Sequence, residues 1–476
     1  MPELILALDV GTTSLGAGLF TPGGGLAGFA SSRLTSRAPA PGLLEQDANQ
    51  IWQAARRTIA KVLAQAGRTT ADLAAVGVTS QRTSALVWGR HTGKTLSPLV
   101  IWSDLRGVER AMQLRETGHM IAPQQAAAKL EAIVAATGLP PDRLAWGNID
   151  SWLIFKLSGG AVHATDRSQA WPTGYLDLMS LGWNAGLIEL QGLADLRFPD
   201  LVDTWGVMGV TARSVLGAEV PIAADVADQQ AALIAHGGQA GDAKVTFGTS
   251  ATLDVATGVE LVFKSMLAPP FVQSSVGGET RFCLEGMVYS AGAALDWLRG
   301  AMGLGGHPRF EALAASVSDA GGAWFLPALQ GLGAPHGDAA RRGALGGLSL
   351  ATVPAHLARA AMEGVAFRVR EVFDFLYDLS GTEPPPALGV DGGLTANDTF
   401  LQIQADLLGR PIRRHAIREA TACGAAICAG LGADLITPAD AAAFTRYDRT
   451  FEPRISADEA ASRLAVWKSA AYGPAA

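Results

Sequence analysis

The chain has 476 residues, 49% apolar and only 17% charged, which allows two or three domains with sizeable cores and excludes a disordered tail or an acidic spacer. With 37 Lys and Arg against 44 Asp and Glu the net charge is −7, which speaks against a nucleic-acid-binding surface. Glycine, 56 of 476 residues, is about twice as common as usual and has no collagen period, so it belongs to turns and close backbone approaches.

The first predicted element is an apolar strand over residues 4–10 with Asp9 near its end. It runs into Gly11-Thr-Thr-Ser14 and a returning strand over 15–20, a hairpin with a polar tip. Gly23-Gly-Gly-Leu-Ala-Gly28 fits the dinucleotide pattern G-x-G-x-x-G. That fingerprint must open a helix, whereas this stretch leads to Pro39 and Pro41, so it reads as a hairpin turn. Asp47 caps a helix whose apolar stripe is Ile51, Ala55, Ile59, Val62 and Ala66, stopped by Gly67. Strands follow over 73–79 and 86–88. Between the second of these and the next apolar run, Gly89-Arg-His-Thr-Gly-Lys-Thr95 resembles a phosphate loop but is one residue short and opens no helix, so it too reads as a turn.

Further on, Leu357, Ala361, Val365, Val369, Phe373 and Leu376 form a long helical stripe between Pro354 and Gly381. Residues 388–391 are another apolar strand ending in a carboxylate, and Val390-Asp-Gly-Gly-Leu-Thr-Ala-Asn397 reads as that strand closing on two glycines and an Asn. Alternation of strands and helices indicates an α/β protein. Half a chain after Ala7-Leu-Asp-Val-Gly-Thr-Thr-Ser14 comes an echo, Lys244-Val-Thr-Phe-Gly-Thr-Ser-Ala251, preceded by the linker-like Gly237-Gly-Gln-Ala-Gly-Asp242. Two similar domains, 1–237 and 238–476, are the economical expectation.

No apolar run reaches the roughly 18 residues of a membrane span, and the start lacks the charged lead-in of a signal segment. Cys283, Cys423 and Cys428 make neither a disulfide framework nor a Cys-x-x-Cys pair, and the eight histidines show no zinc spacing. A cytoplasmic protein without membrane or nucleic-acid partners is expected.

Two Gly/Thr/Ser tips, one per domain, offer backbone N–H groups and hydroxyls to a polyphosphate. A carboxylate beside such a tip, here Asp9, repels phosphate directly but suits Mg²⁺ and its waters. The glycines of 390–397 would let a flat base approach the backbone.

These segments identify the chain as similar to the FGGY carbohydrate kinase family, most of all to its glycerol kinases. The first phosphate loop matches at Asp9-Val-Gly-Thr-Thr-Ser14, substrate-side segments match at Thr79-Ser-Gln-Arg82 and Val100-Ile-Trp-Ser-Asp-Leu-Arg106, and another segment matches at Asn148-Ile-Asp-Ser-Trp-Leu-Ile-Phe-Lys-Leu157. Asp228-Gln-Gln-Ala-Ala232 matches the catalytic segment, Thr246-Phe-Gly-Thr-Ser250 the second phosphate loop, and Gly343-Ala-Leu-Gly-Gly-Leu348 with Ala360-Ala-Met-Glu-Gly364 the C-terminal signature. The resemblance implies two ribonuclease-H-like domains of the actin, sugar kinase and heat-shock ATPase type, with the active site in the cleft between them. It implies transfer of the γ-phosphate of MgATP to a hydroxyl of a small polyol or sugar. Carried over residue by residue, Asp228 is the base; Arg82, Thr83, Trp102, Gln124, Asp228 and Gln229 hold the substrate. ATP falls to Thr12, Thr13, Ser14, Thr249, Gly292, Asp296, Gly393 and Asn397, and the metal to Asp9. The alternative for Asp228 is a helix cap. A homodimer or homotetramer is the assembly the resemblance allows.

The pattern is broken in places. Thr83 stands where glycerol kinases have Glu, Gln124 where a Tyr is expected, Gly16 for an Arg and Asp296 for a Gln. Losing a carboxylate that accepts from two hydroxyls costs about 1–3 kcal/mol per unpaired group, so glycerol is expected to be a poor acceptor and a longer polyol or a xylulose-type ketose a better one. A non-catalytic relative and a chaperone-type ATPase are the competing classes. The intact phosphate loops and Asp228 oppose the first, and the substrate-side segments oppose the second.

Overall fold

The computed structural model describes residues 3–473 and divides them into two units. The first comprises residues 3–235 with Phe271–Thr280 and Thr421–Thr445; the second comprises His236–Pro270, Arg281–Ala420 and residues 446–473. The first change of unit thus comes two residues before the 237 boundary expected from composition, and two later segments return to the first unit. Thr204 and Ser275 exchange hydrogen bonds that fix the first of these (Thr204 N to Ser275 O 2.9 Å, Ser275 N to Thr204 Oγ1 2.8 Å), and Thr445 Oγ1 donates to Ala235 O at 2.9 Å at the end of the other.

In the first unit β1 (Leu4–Val10) and β2 (Ser14–Phe20) form the predicted hairpin, with β3 (Leu26–Arg33) beyond it; both pairings are antiparallel. On the other side of β1 lie β4 (Leu73–Ser80) and β5 (Pro221–Ala227), both parallel. The second unit repeats this plan. Its hairpin is β6 (Ala243–Phe247) and β7 (Ala251–Gly258), followed by antiparallel β8 (Glu279–Val288), with β9 (Leu388–Asp391) and β10 (Ile412–His415) added in parallel beside β6. The faint sequence repeat is therefore a repeat of topology: an antiparallel hairpin whose first strand opens a parallel run.

Helices cover these sheets as their stripes predict. In α1 (Ala48–Gln65) Asp47 accepts from Asn49 N and Gln50 N, and Ile51, Ala55, Ile59 and Val62 are buried. Burying such aliphatic side chains is worth about 1.5–3 kcal/mol each, so the sheet fixes the helix far more firmly than its cap does. In the second unit the 27-residue helix Pro354–Ser380 ends at Gly381 in the left-handed conformation and buries Ala361, Val365, Val369, Phe373 and Leu376. The two doubtful glycine motifs are turns, as expected. Residues 23–25 join β2 to β3, and in 89–95 Gly89 N donates to Lys94 O at 2.9 Å.

Candidate active site

Parallel strands bring their C-terminal ends to one edge, where loops can host a ligand. At that edge of the first unit β1 ends beside the 11–14 tip, β4 leads into Gln81, Arg82 and Thr83, and β5 leads directly into the helix Asp228–Ala235. Arg82 Nε lies 3.5 Å from Asp228 Oδ1, and its guanidinium stacks 4.7 Å from the Phe271 ring centroid. The same Asp228 oxygen accepts from Gln229 N at 2.8 Å. Asp228 thus begins its helix as the first helical residue and faces a cation.

The tip is tied to a wall of this half-site. Trp102 Nε1 donates to Thr12 Oγ1 at 3.0 Å, and Thr12 Oγ1 donates to Gln81 Oε1 at 2.9 Å. Gln46 Nε2 donates to Thr12 O at 2.6 Å, and Gln81 Nε2 to Gln46 Oε1 at 3.2 Å. The single hydroxyl proton of Thr12 is therefore already committed; Thr13 and Ser14, both exposed, are the tip's available hydroxyls. Trp102 leaves 41% of its surface open. Lys129, buried, donates to Ile101 O at 3.0 Å just before it, and burial lowers its ammonium to about 7.

Thr83 is a β-branched residue at φ 58°, and its Oγ1 is buried without a hydrogen-bond partner. Such backbone is costly and concentrates at functional sites. Gln124 is exposed and makes no hydrogen bond to Arg82, Trp102 or Asp228. Gly16, another departure, faces the Phe29 ring, which a Cβ would approach to 2.8 Å.

Behind Asp228 lies a buried acid cluster. Asp225 Oδ2 accepts from Asp166 N at 2.9 Å, and Asp150 Oδ2 accepts from Thr165 Oγ1 at 2.7 Å. Burial pushes the Asp225 carboxyl well up, and the charges of Asp150 and Asp166 push it further. Asp225, three residues before Asp228, ties the end of β5 to Asp166 through the bond its carboxyl accepts from Asp166 N.

The second unit offers the matching edge. The 248–250 tip follows β6, and Gly248 N donates to Ser250 O at 2.9 Å. The helix Gly292–Ala301 docks on this tip: Gly292 N donates to Gly248 O at 3.1 Å, and Thr249 O accepts from Ala291 N at 3.0 Å and Ala293 N at 3.1 Å. A Cβ on Gly292 would fall 2.5 Å from Gly248 O, so only glycine permits the approach. Beyond β9 the backbone leaves the strand at Asp391 and turns through a short helix, Gly393–Ala396. Asn397 then caps Asp398–Leu408, its side chain accepting from Phe400 N at 2.8 Å. The strand thus ends at Asp391, as read from the sequence, and the glycines and Asn397 that follow form a turn and a helix cap.

Thr249, Gly292, Asp296, Gly393 and Asn397, named from three distant segments, all line one cavity of about 800 Å³, with Arg299, His307 and Leu394 among its other walls. Arg299 Nη2 holds Asp296 Oδ1 at 3.1 Å. Under the tip runs a polar chain. Lys244 pairs with Asp254 at 2.7 Å and donates to Thr246 Oγ1 at 2.9 Å, Thr246 donates to Asp391 at 3.2 Å, and Asp391 meets His236 at 3.1 Å. Burial alone would raise Asp391; the His236 bond and the Lys244 charge outweigh it and hold the carboxyl low.

Comparison with known proteins places both units in one family. Residues 4–235 match the family model "FGGY family of carbohydrate kinases, N-terminal domain" and residues 243–433 its C-terminal counterpart. The chain belongs to the FGGY family of carbohydrate kinases. It is 38% identical to a glycerol kinase of Alkalilimnicola ehrlichii, covering 98% of this chain and 97% of that one, and 38% identical to one of Thermus brockianus, covering 98% of each. Among solved structures, a Plasmodium falciparum glycerol kinase with ADP shares the fold at TM-score 0.90 and 24% identity, covering 98% and 97% of the two chains. A xylulose kinase from Rhodospirillum rubrum matches at TM-score 0.83 and 26% identity, covering 98% of both. As a member of this FGGY family the chain is an ATP-dependent phosphotransferase with an alcohol acceptor. Among the described residues no helix is long and apolar enough to cross a membrane.

Sequence reasoning missed Phe271 and Gln46. Phe271 comes late in the chain, in a segment that returns to the first unit, and nothing local announces that return. Gln46 stands next to the predicted cap Asp47, and its position there carries no signal of the hydrogen bond it gives Thr12.

Proposed function

We propose that this FGGY kinase phosphorylates a four- or five-carbon polyol or ketose, with Asp228 as the base. The observation that carries the nucleotide half of the reading is the common cavity of Thr249, Gly292, Asp296, Gly393 and Asn397, whose volume of about 800 Å³ suits an adenosine-sized ligand. The acceptor half rests on Arg82, Trp102, Asp228 and Gln229 at the strand ends of the first unit.

In the proposed step the acceptor hydroxyl loses its proton to the Asp228 carboxylate. Its oxygen bonds to the γ-phosphorus, and the bond from that phosphorus to the β,γ-bridging oxygen breaks, releasing ADP. Arg82 keeps the carboxylate turned toward the acceptor, and positioning of this kind supplies most of the rate in phosphoryl transfer. The Thr13 and Ser14 hydroxyls and the 248–250 tip hold phosphate oxygens. Among the described residues no group of three or more His, Cys, Asp or Glu could hold a metal. A single carboxylate, Asp9, at the end of β1 fits an ion held mainly by phosphates and water. Mg²⁺, when bound, neutralises developing charge on the phosphates.

The acceptor assignment rests on Thr83. Its neutral hydroxyl, buried in this structure, stands where glycerol kinases have a carboxylate, so the charge-assisted acceptor that a Glu would offer to two substrate hydroxyls is missing. Glycerol itself is the second reading, favoured by relatives of 38% identity that are glycerol kinases. Coupled ADP release with glycerol, erythritol, xylitol, xylulose and ribulose decides. A higher kcat/KM for any four- or five-carbon acceptor than for glycerol is expected; preference for glycerol would overturn the acceptor assignment, and absence of turnover with every acceptor would overturn the assignment of the base. The cytoplasm is the proposed compartment, supported by three buried free cysteines.

A further inference from the structure

One turn set aside in the sequence, 89–95, forms part of a second cavity. This cavity of about 350 Å³ lies wholly in the first unit and shares no residue with either half-site. Trp52 and Phe155 provide aromatic wall, and Arg56, Arg90 and Lys156 bring three cations to it from α1, from the turn and from the helix Ile149–Leu157. Thr92 and Ser214 add hydroxyls.

The charge pattern around it is unusual for an acidic chain. Residues 48–65, 89–97, 151–163 and 211–217, which supply all the lining, contain no Asp or Glu. Arg56, Arg90 and Lys156 form no ion pair with a carboxylate among the described residues, in contrast to Arg37, Arg106, Arg110 and Arg197 of the same unit, which are all paired. Lys156 Nζ instead lies over the rings of Trp152 and Trp52, 5.2 and 5.9 Å from their centroids. Gathering three like charges at one concavity raises their mutual repulsion, which an anion relieves. A dianion with several oxygens satisfies more of these donors than a carboxylate can, and the aromatic walls suit a short carbon body.

We propose that this cavity binds a small organic phosphate monoester at a site independent of catalysis. The cavity volume of about 350 Å³ admits a compact monoester of the size of phenyl phosphate. The chain's own cations do the work: the Arg56 and Arg90 guanidiniums fork onto phosphate oxygens, and the Lys156 ammonium adds a point charge beside the rings.

Isothermal titration calorimetry on the full chain with phenyl phosphate, with and without saturating MgADP, tests the assignment. Wild-type binding that persists in MgADP, and that weakens about tenfold or more in Arg90→Gln/Lys156→Gln, is expected from the loss of two charge-assisted contacts. Ser214→Glu keeps every cation and sets a carboxylate at the rim, so it should weaken binding to a similar degree through repulsion. Inorganic phosphate should bind more weakly than phenyl phosphate, because it lacks the part that meets Trp52 and Phe155. No heat up to about 10 mM ligand, equal affinity in wild type and both variants, or displacement by MgADP would each overturn the proposal. Equal affinity for inorganic phosphate would overturn its choice of a monoester.

Discussion

The docking of Gly292 on the second tip can be tested by adding one methyl group. In Gly292→Ala the new Cβ would sit 2.5 Å from Gly248 O, below the 3.0 Å that real contacts respect. The obstructing atom is backbone, so no rotamer relieves it, and helix and tip must part by at least about 0.5 Å. Separation stretches the bonds from Gly292 N and Ala293 N, now 3.1 Å each, and moves Thr249 relative to the cavity it lines. Overpacking of this kind costs about 1–3 kcal/mol of stability. A misplacement of about 1 Å at a reacting centre costs roughly a hundredfold in rate, so half of that predicts a loss of about tenfold in kcat/KM for ATP. Gly300→Ala is the control on the same helix: its Cβ meets nothing within 4 Å, and the change should stabilise by about 0.5–1 kcal/mol with kinetics unaltered. Steady-state kinetics with varied ATP and a thermal melt read both variants. If Gly292→Ala kept wild-type kcat/KM and melting temperature, the close approach would not be what sets the tip.

Three further changes separate the parts. Asp228→Asn should lower kcat by about a hundredfold or more, as loss of a general base does, while calorimetric ADP affinity stays within a factor of two; near-normal turnover would remove Asp228 from that role. Thr83→Glu should raise kcat/KM for glycerol relative to the preferred acceptor. Glutamate is not β-branched and is no worse than threonine at φ 58°, so an unchanged preference in a folded variant would show that residue 83 does not choose the acceptor. Burial would raise the Glu371 carboxyl, but the His336 bond, the Arg368 charge and the Tyr472 hydroxyl outweigh it and hold it at about 2, below its ordinary 4.5. Because the folded value is the lower one, this contribution is complete above the unfolded value and is lost as pH falls from about 5 toward 2. Glu371→Gln should therefore cost about 3 kcal/mol at pH 7, since Arg368 is 1% exposed and loses its charge partner. It should also flatten the acid limb of a melting-temperature profile; a variant with the same acid limb as wild type would place the titrating group elsewhere.

What the sequence revealed follows from what is local. The 4–20 hairpin, α1 with its Asp47 cap, the long helix ending at Gly381 and the 388–391 strand each carry their own periodicity and stop signals, and each lies where those signals put it. The repeat of Gly-Thr-Ser tips marked a repeat of topology because the same hairpin must meet a parallel strand in the same way twice. Long-range returns were not legible. Phe271 reaches Arg82 from a segment of the second half of the chain that carries no motif of its own. The acid cluster of Asp150, Asp166 and Asp225 was equally hidden, since three separate carboxylates become a group only when parallel pairing and a helix start bring them together. Beyond Asp391 the pattern announced two glycines and an Asn but not the short helix Gly393–Ala396 or the capping bond by which Asn397 opens the next helix.

The hydrogen bonds of Thr12 give the first unit a property that neither its strands nor its loops have separately. The hydroxyl accepts from Trp102 and donates to Gln81, while its carbonyl accepts from Gln46. Trp102 belongs to the proposed acceptor wall, and Gln81 precedes Arg82, which holds Asp228. A displacement of the phosphate tip must therefore either break a buried bond to Gln81, at a cost of about 1–3 kcal/mol, or carry Trp102 and the Arg82 segment with it. The second course is cheaper, because it preserves every pairing. Thr12 thereby ties the tip to Trp102 and to the segment that carries Arg82, a tie that stands beside the nucleotide role the resemblance implies for its hydroxyl.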